Sequence, residues 1–195
     1  MSTSTTTKTA YTGKNNSARR PSRATQTTPK FGLLLPNEPC FIDIEFQKFI
    51  DEKGPKHANG TPKIMHRIGR IAVLNSEGEV VLDTFAIYSN EDGVEKWWAG
   101  TKYRFGVESS DLKFQNGGKA AQDVEKWVAK IVKGRRVVLH GGKHDITSFY
   151  YQKDVWATST IIDTQQLYSH MQDDGTPGLN TLDKGPRPRG PDQRQ

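Results

Sequence analysis

The chain has 195 residues, a length that suits one ordinary domain with tails better than two domains. Hydrophobic residues make up 33%, and no apolar run approaches the ~20 residues that span a bilayer, so a membrane helix is excluded. Cys40 is the single cysteine, which excludes an internal disulfide and a cysteine-based zinc cluster and fits a reducing, intracellular compartment.

The net charge of +6 is distributed unevenly along the chain. Residues 1–37 carry +6 without any acidic residue, and residues 184–195 carry +3. Residues 38–183 hold 18 basic and 21 acidic side chains, a net charge of −3. Both ends are predicted to be disordered tails of a single domain over 38–183, because they are poor in large apolar residues. Nucleus and cytoplasm are the expected compartments, with the acid-free first segment leaving a mitochondrial presequence open.

The first predicted element is a strand that carries two acids. Residues 41–46 alternate apolar and acidic side chains, the period of a half-buried strand. Asp43 and Glu45 are two residues apart and therefore lie on one face of that strand. A loop rich in glycine and proline follows at residues 51–63.

The remaining predicted elements alternate between strands and helices. Two apolar strands around Asn-Ser-Glu-Gly predict a hairpin, and apolar residues at helical spacing predict a helix that ends at Gly134. In chain order these elements cover residues 68–74 and 79–88 (hairpin), 120–132 (helix), 137–139 (strand), 145–151 (helix) and 160–163 (strand). The order predicts an α/β fold with a mixed sheet and flanking helices.

Asp43 and Glu45 admit two interpretations. Two carboxylates on one strand face can share a divalent cation. They also lie within an apolar run, where an unpaired charge is costly. A solvated edge, or a salt bridge to a cation such as Arg70, explains most such pairs.

A second group of polar residues follows the predicted strand at 137–139. His140 comes at the strand end and Asp145 opens the next helix, a position where open α/β sheets place functional groups. Asp145 could also be a simple helix cap, and His140 a hydrogen-bonded core histidine. Aromatic and basic residues between 96 and 105 could stack unpaired bases or belong to the core; they are Lys96, Trp97, Trp98, Lys102, Tyr103, Arg104 and Phe105.

Six short motifs occur at separated positions of the chain. They are Asp-Ile-Glu at 43–45, Thr-Lys-Tyr-Arg at 101–104, Lys-Gly at 133–134, His140 with Asp145, Asp-Thr-Gln at 163–165 and Gly-Leu-Asn-Thr-Leu at 178–182. In this order they resemble the RNA exonuclease 4-like branch of the DEDD exonuclease superfamily. Leu139 stands where the family's second motif has glycine.

The resemblance implies a ribonuclease-H-like exonuclease fold and a 3′–5′ exonuclease that uses two Mg²⁺ or Mn²⁺ ions. Its substrate would be nucleic acid, with RNA favoured over DNA and DNA left open, and it would have no membrane partner. Asp43, Glu45 and Asp145 would be the catalytic metal ligands. Ile44, Phe46 and His140 would contact the substrate.

The family's third motif is expected to be missing. It supplies a general-base histidine and a fourth metal-binding aspartate on a helix beyond the segment that matches 178–182. After residue 182 the chain has no histidine, its only acids are Asp183 and Asp192, and three prolines between 186 and 191 exclude a helix interior. We therefore expect a domain truncated at its C-terminus, and hold open an impaired relative that only binds nucleic acid.

Overall fold

The computed structural model describes residues 23–96 and 107–168. Most of the aromatic and basic cluster, from Trp97 to Phe105, lies outside these ranges, and so do Asp183 and Asp192. The expectations about the first 22 residues, the third motif and the C-terminal tail therefore stay predictions.

Within the described ranges, seven strands form one mixed sheet. They are β1 (Cys40–Asp51), β2 (Ile64–Leu74), β3 (Val80–Ile87), β4 (Val94–Lys96), β5 (Lys119–Ala120), β6 (Arg136–Leu139) and β7 (Thr160–Asp163). The helices are α1 (Ala121–Val132), α2 (Lys143–Thr147) and α3 (Thr164–Leu167), with 3₁₀ turns at Phe31–Leu33 and Phe114–Asn116. The strand order is β5-β3-β2-β1-β6-β7, and β4 also pairs with β1.

The predicted fold class is confirmed. β1, β2 and β3 pair antiparallel as the hairpin pattern indicated, whereas β6 and β7 continue the sheet in parallel. Parallel neighbours need crossover connections, and the helical segments between β3 and β7 supply them. This mixed sheet with flanking helices is consistent with a ribonuclease-H-like fold.

β1 has one continuous edge and one interrupted edge. Along the first it pairs with β2 for almost its full length. Along the second it pairs with β6 only at Cys40 and Phe41, and with β4 only over residues 49–51. Within the described chain, no strand pairs with residues 42–48 on that side, so another element can reach the backbone there.

A glycine in β2 forms a bulge opposite Glu45 and Phe46 of β1. The pairing register shifts between Glu45 and Phe46, because Gly69 is an extra residue on β2. A Cβ atom at Gly69 would lie 3.0 Å from the carbonyl oxygen of Glu45, so a larger residue could not approach β1 so closely.

The core lies between the sheet and α1. Val124, Val128 and Ile131 recur at helical spacing on α1 and pack with Ile42 and Ile44 of β1. Burial of each such side chain contributes about 1.5–3 kcal/mol to stability. Because Ile42 and Ile44 face this core, Asp43 and Glu45 face away from it.

Residues 23–37, which the sequence assigned to a tail, contact the sheet. Thr25 donates from its backbone amide and its hydroxyl to the Asp83 carboxylate, at 2.8 and 2.6 Å. The amide of Lys30 donates to the carbonyl of Val81, and Leu34 is buried in the core. A buried acceptor on β3 therefore orders polar residues that have little apolar surface of their own.

The helix predicted over residues 145–151 is shorter and begins earlier, at Lys143, and it ends at Thr147. Its continuation is prevented because the amides of Tyr150, Tyr151 and Gln152 donate to the carboxylate of Glu125 instead of to helical carbonyls. None of the helices within the described ranges is long and apolar enough to cross a bilayer.

Candidate functional site

The interrupted edge of β1 receives the first turn of α2. Asp145 is 8% exposed, and the backbone amide of Ile44 stabilises its carboxylate form. This contact lies between the parts of β1 that pair with β6 and with β4. It brings the Asp145 carboxylate into electrostatic contact with Asp43, whose side chain is exposed.

The Asp145 carboxyl has a strongly perturbed acidity. Burial, followed by the negative charge of Asp43, raises its pKa from 3.8 to about 7, and Asp163 adds to the effect. The amides of Asp145 itself and of Ile44 act in the opposite direction, because they stabilise the carboxylate. A carboxyl held beside a second acid in this way favours either a proton or a cation between the two.

Asp163 fixes the turn that carries Asp145. Its two oxygens accept hydrogen bonds from the amides of Gly141 at 2.9 Å and Gly142 at 3.1 Å, just before α2. It also caps α3, with the amide of Gln165 at 3.0 Å. Gly141 has a φ of +70°, a conformation that glycine adopts without strain. The β6–α2 turn is therefore held by one carboxylate at the end of β7.

His140 is held by a hydroxyl in the same turn. Its Nδ1 lies 2.9 Å from Oγ1 of Thr164, and that hydroxyl donates to the carbonyl of Leu139 at 3.0 Å. Because a threonine hydroxyl has one proton, Nδ1 must be the donor to Thr164. The neutral ring then carries its lone pair on Nε2, a buried atom without a hydrogen-bond partner among the described residues.

Glu45 lies beside a cation that is already engaged. The strand register places Arg70 next to Glu45, and the two interact electrostatically. The Arg70 guanidinium forms a bidentate pair with Asp83, with Nε–Oδ1 at 2.7 Å and Nη2–Oδ2 at 2.9 Å. That pairing is the main reason why the pKa of Arg70 is raised. The bidentate salt bridge of Arg70 is thus made with Asp83, a partner that the sequence interpretation did not name, and Glu45 acts on Arg70 through its charge.

The carboxylates fit a divalent cation only in part. Asp43 and Asp145 are hard oxygen donors, the kind that Mg²⁺ and Mn²⁺ prefer, and their charges interact. In the part of the chain that the structure describes, however, no three His, Cys, Asp or Glu side chains come together as a group that could hold a metal ion. The structure therefore brings together two of the three predicted ligands, and the role of Glu45 stays a prediction.

Three aromatic rings lie next to the carboxylate pair. Phe46 follows Glu45 on β1, and His144 precedes Asp145 on α2. The ring centroids of Phe46 and His144 are 6.2 Å apart, and His66 of β2 lies 5.6 Å from Phe46 and 5.3 Å from His144. The sequence indicated Phe46, but no local pattern marked His66 or His144, which come together only through the fold.

Comparisons with known proteins give one similar structure to report. A scan against protein-family models and a search of curated proteins found no match. A structural neighbour is the Saccharomyces cerevisiae PAN2 pseudoubiquitin-hydrolase-RNase module, with a TM-score of 0.48 and 20% sequence identity. The match covers 86% of this chain and 26% of that chain, so this chain spans about a quarter of its length.

Proposed function

We propose that this protein is a metal-dependent 3′–5′ exonuclease of the RNA exonuclease 4-like DEDD branch, with single-stranded RNA as its preferred substrate. The observation that carries the proposal is the pair formed by exposed Asp43 and buried Asp145 at the interrupted edge of β1. Both residues belong to motifs in which the family places metal ligands. The raised pKa of Asp145 supports a site built for a cation.

Asp43 and Asp145 would hold Mg²⁺ or Mn²⁺, with Glu45 as the ligand that the family adds. Bound divalent ions in such a site activate a water molecule and stabilise the leaving 3′ oxygen. Asp145 must lose its proton before it can bind a cation, so activity should rise as the pH passes about 7. The Ile44 amide favours the deprotonated form of Asp145, the form that can bind a cation.

The surrounding residues would position the terminal nucleotide. The ring of Phe46, with His66 and His144, offers apolar and aromatic surface beside the carboxylates. His140, which Thr164 holds in the β6–α2 turn before Asp145, would contact the terminal nucleotide, as the family resemblance implies. A bound ribose 2′-hydroxyl would favour RNA over DNA, as the family resemblance does.

A second candidate function is nucleic-acid binding without hydrolysis. It is favoured by one observation, that no third carboxylate joins Asp43 and Asp145 within residues 23–96 and 107–168. Each missing catalytic group lowers the rate by about 10²-fold or more. The two functions differ in one measurable property, metal-dependent shortening of a strand.

The test is degradation of 5′-labelled single-stranded RNA and DNA with Mg²⁺ or Mn²⁺. The proposal predicts stepwise shortening of RNA from its 3′ end, faster than that of DNA, and its loss in Asp43→Ala. Asp92→Ala removes a fully exposed acid elsewhere and should leave the rate unchanged. Binding without shortening by the folded native protein would select the second candidate.

A further inference from the structure

A cavity of about 220 Å³ opens beside the candidate site. It lies between the ends of β1 and β2 and the segment that follows α2. Its lining includes Phe49, Met65, His66, Thr147, Tyr150 and Lys153. Its volume is below the about 300–1,000 Å³ of pockets for drug-sized ligands, so it suits a smaller group such as a single base.

The cavity is continuous with the carboxylate site through shared residues. His66 lines the cavity and also contacts Phe46 and His144, the two rings next to the carboxylates. Thr147 lines it two residues after Asp145 on the same helix. A strand whose end lay at Asp43 and Asp145 would therefore pass these rings and reach the cavity.

The walls combine apolar surface with positive charge. Met65 and the half-buried Tyr150 present a thioether and an aromatic ring. The ammonium of Lys153 lies 5.2 Å from the Tyr150 ring centroid. It donates to one carbonyl, that of Phe149 at 3.2 Å, and an ammonium has three donors. Lys153 can therefore bind a phosphate oxygen at the mouth of the cavity.

Charges behind and beside the walls are mixed, with more cations than anions. Arg67 is fully buried, with its guanidinium carbon 5.7 Å from the Tyr150 centroid, and Lys48 interacts with His66. Asp51 and Glu91 act on Tyr150 from the acidic side, and Glu91 pairs with Arg67 at 3.5 Å. Arg67 and Glu91 neutralise each other, so Lys48 and Lys153 outweigh Asp51 and the surroundings of the cavity carry a net positive charge that favours an anionic ligand.

We propose that this cavity binds one nucleotide of a single strand, upstream of the 3′ end, with its base against Tyr150 and Met65 and its phosphate on Lys153. This inference rests on the proposed function, because it takes the strand end to lie at the carboxylate pair. It assigns a second subsite to the protein, which extends the substrate beyond its terminal nucleotide.

The test is fluorescence anisotropy of the full chain with a 5′-fluorescein ribonucleotide and with 5′-fluorescein RNA of six nucleotides, in EDTA so that no metal-dependent cleavage occurs. Lys153→Gln removes the phosphate contact, and Lys126→Gln is the matched control on the exposed side of α1. Thr147→Phe fills the cavity. If its urea midpoint is lowered, Thr147→Leu is used instead.

Both cavity variants should weaken binding of the six-nucleotide RNA about fivefold or more and leave binding of the single nucleotide within twofold. Stacking of one base is typically worth more than this factor. Lys153→Gln should also lower the slope of log Kd against log salt by about 0.7, the value for one phosphate contact on a single strand. Lys126→Gln should change the two affinities by less than twofold.

Six-nucleotide affinities within twofold of the native protein in either cavity variant would overturn this inference, even if Mg²⁺-dependent shortening is observed. The opposite outcome is that the native protein never shortens RNA, while both cavity variants bind the six-nucleotide RNA more weakly than the native protein does. That outcome would remove the exonuclease proposal and support the cavity as a binding site. The two proposals can therefore fail separately.

Discussion

Replacing Asp145 by asparagine should stabilise the metal-free protein at high pH. The folded protein raises the pKa of this carboxyl from 3.8 to about 7, chiefly by burial and by the charge of Asp43. The carboxylate form therefore costs stability, and this cost develops as the pH rises from about 4 to 7. The full difference corresponds to ~4 kcal/mol above pH 7, at ~1.36 kcal/mol for each pH unit between the two pKa values.

Asparagine keeps an oxygen that can accept from the Ile44 amide, but it adds amide protons that lack a defined acceptor. Allowing ~1 kcal/mol for these, we expect a net gain of ~3 kcal/mol at pH 8. At pH 4 the carboxyl is protonated in the folded protein and about 40% protonated in the unfolded chain. The carboxylate form then costs only ~0.6 kcal/mol, so the gain should vanish.

Urea unfolding of both proteins in EDTA at pH 4, 6 and 8 measures this gain. Asp92→Asn is the matched control, because its side chain is fully exposed, and it should change stability little at any pH. A free energy of unfolding that Asp145→Asn leaves unchanged, or lowers, at pH 8 would refute the reasoning that burial next to Asp43 strains this carboxylate.

Three further predictions concern residues away from the carboxylate pair. Glu125→Gln should lower the free energy of unfolding by about 3–5 kcal/mol in urea titration, because the buried Glu125 carboxylate accepts hydrogen bonds from three backbone amides and a tyrosine hydroxyl. The control Glu95→Gln changes an exposed residue and should cost under ~0.5 kcal/mol. A loss below ~1 kcal/mol in Glu125→Gln would contradict this prediction. Arg70→Lys should cost about 1–3 kcal/mol in the same assay, since an ammonium cannot form the bidentate pair with Asp83, and an unchanged urea midpoint would count against that pair. Burial raises the pKa of the Cys40 thiol to about 11. At pH 8 the native protein should therefore react with a thiol reagent far more slowly than the urea-unfolded chain does. Equal rates in the two states would show that the thiol is accessible in the native protein.

The long elements of the fold could be predicted from the sequence, because they follow simple periods. Alternation predicted β1, two apolar runs around an Asn-Ser-Glu-Gly turn predicted the hairpin, and the spacing of Val124, Val128 and Ile131 predicted α1. The strands β4 and β5 have three and two residues, which is too short for a hydrophobic period to be recognised in the sequence. They form because β1 and β3 pair with them. The end of α2 was unpredictable for a similar reason, since it depends on Glu125, which is distant in sequence.

The candidate site was only partly visible in the sequence. Motif spacing singled out Asp43 and Asp145, and the structure places them together. Asp163 carried a motif signal as well, but its hydrogen bonds to the β6–α2 turn depend on the pairing of β6 with β7. His66 and His144 meet across β2 and α2, a tertiary contact that leaves no local pattern.

Release of labelled mononucleotide from 3′-labelled single-stranded RNA tests the exonuclease proposal most directly. With Mg²⁺ or Mn²⁺ at pH 8, the native protein should release the label as its first product, and EDTA or Asp145→Asn should abolish the release. Release that continues unchanged in Asp145→Asn, or no release by native protein that is folded and binds the same RNA, would contradict catalysis at the Asp43–Asp145 pair.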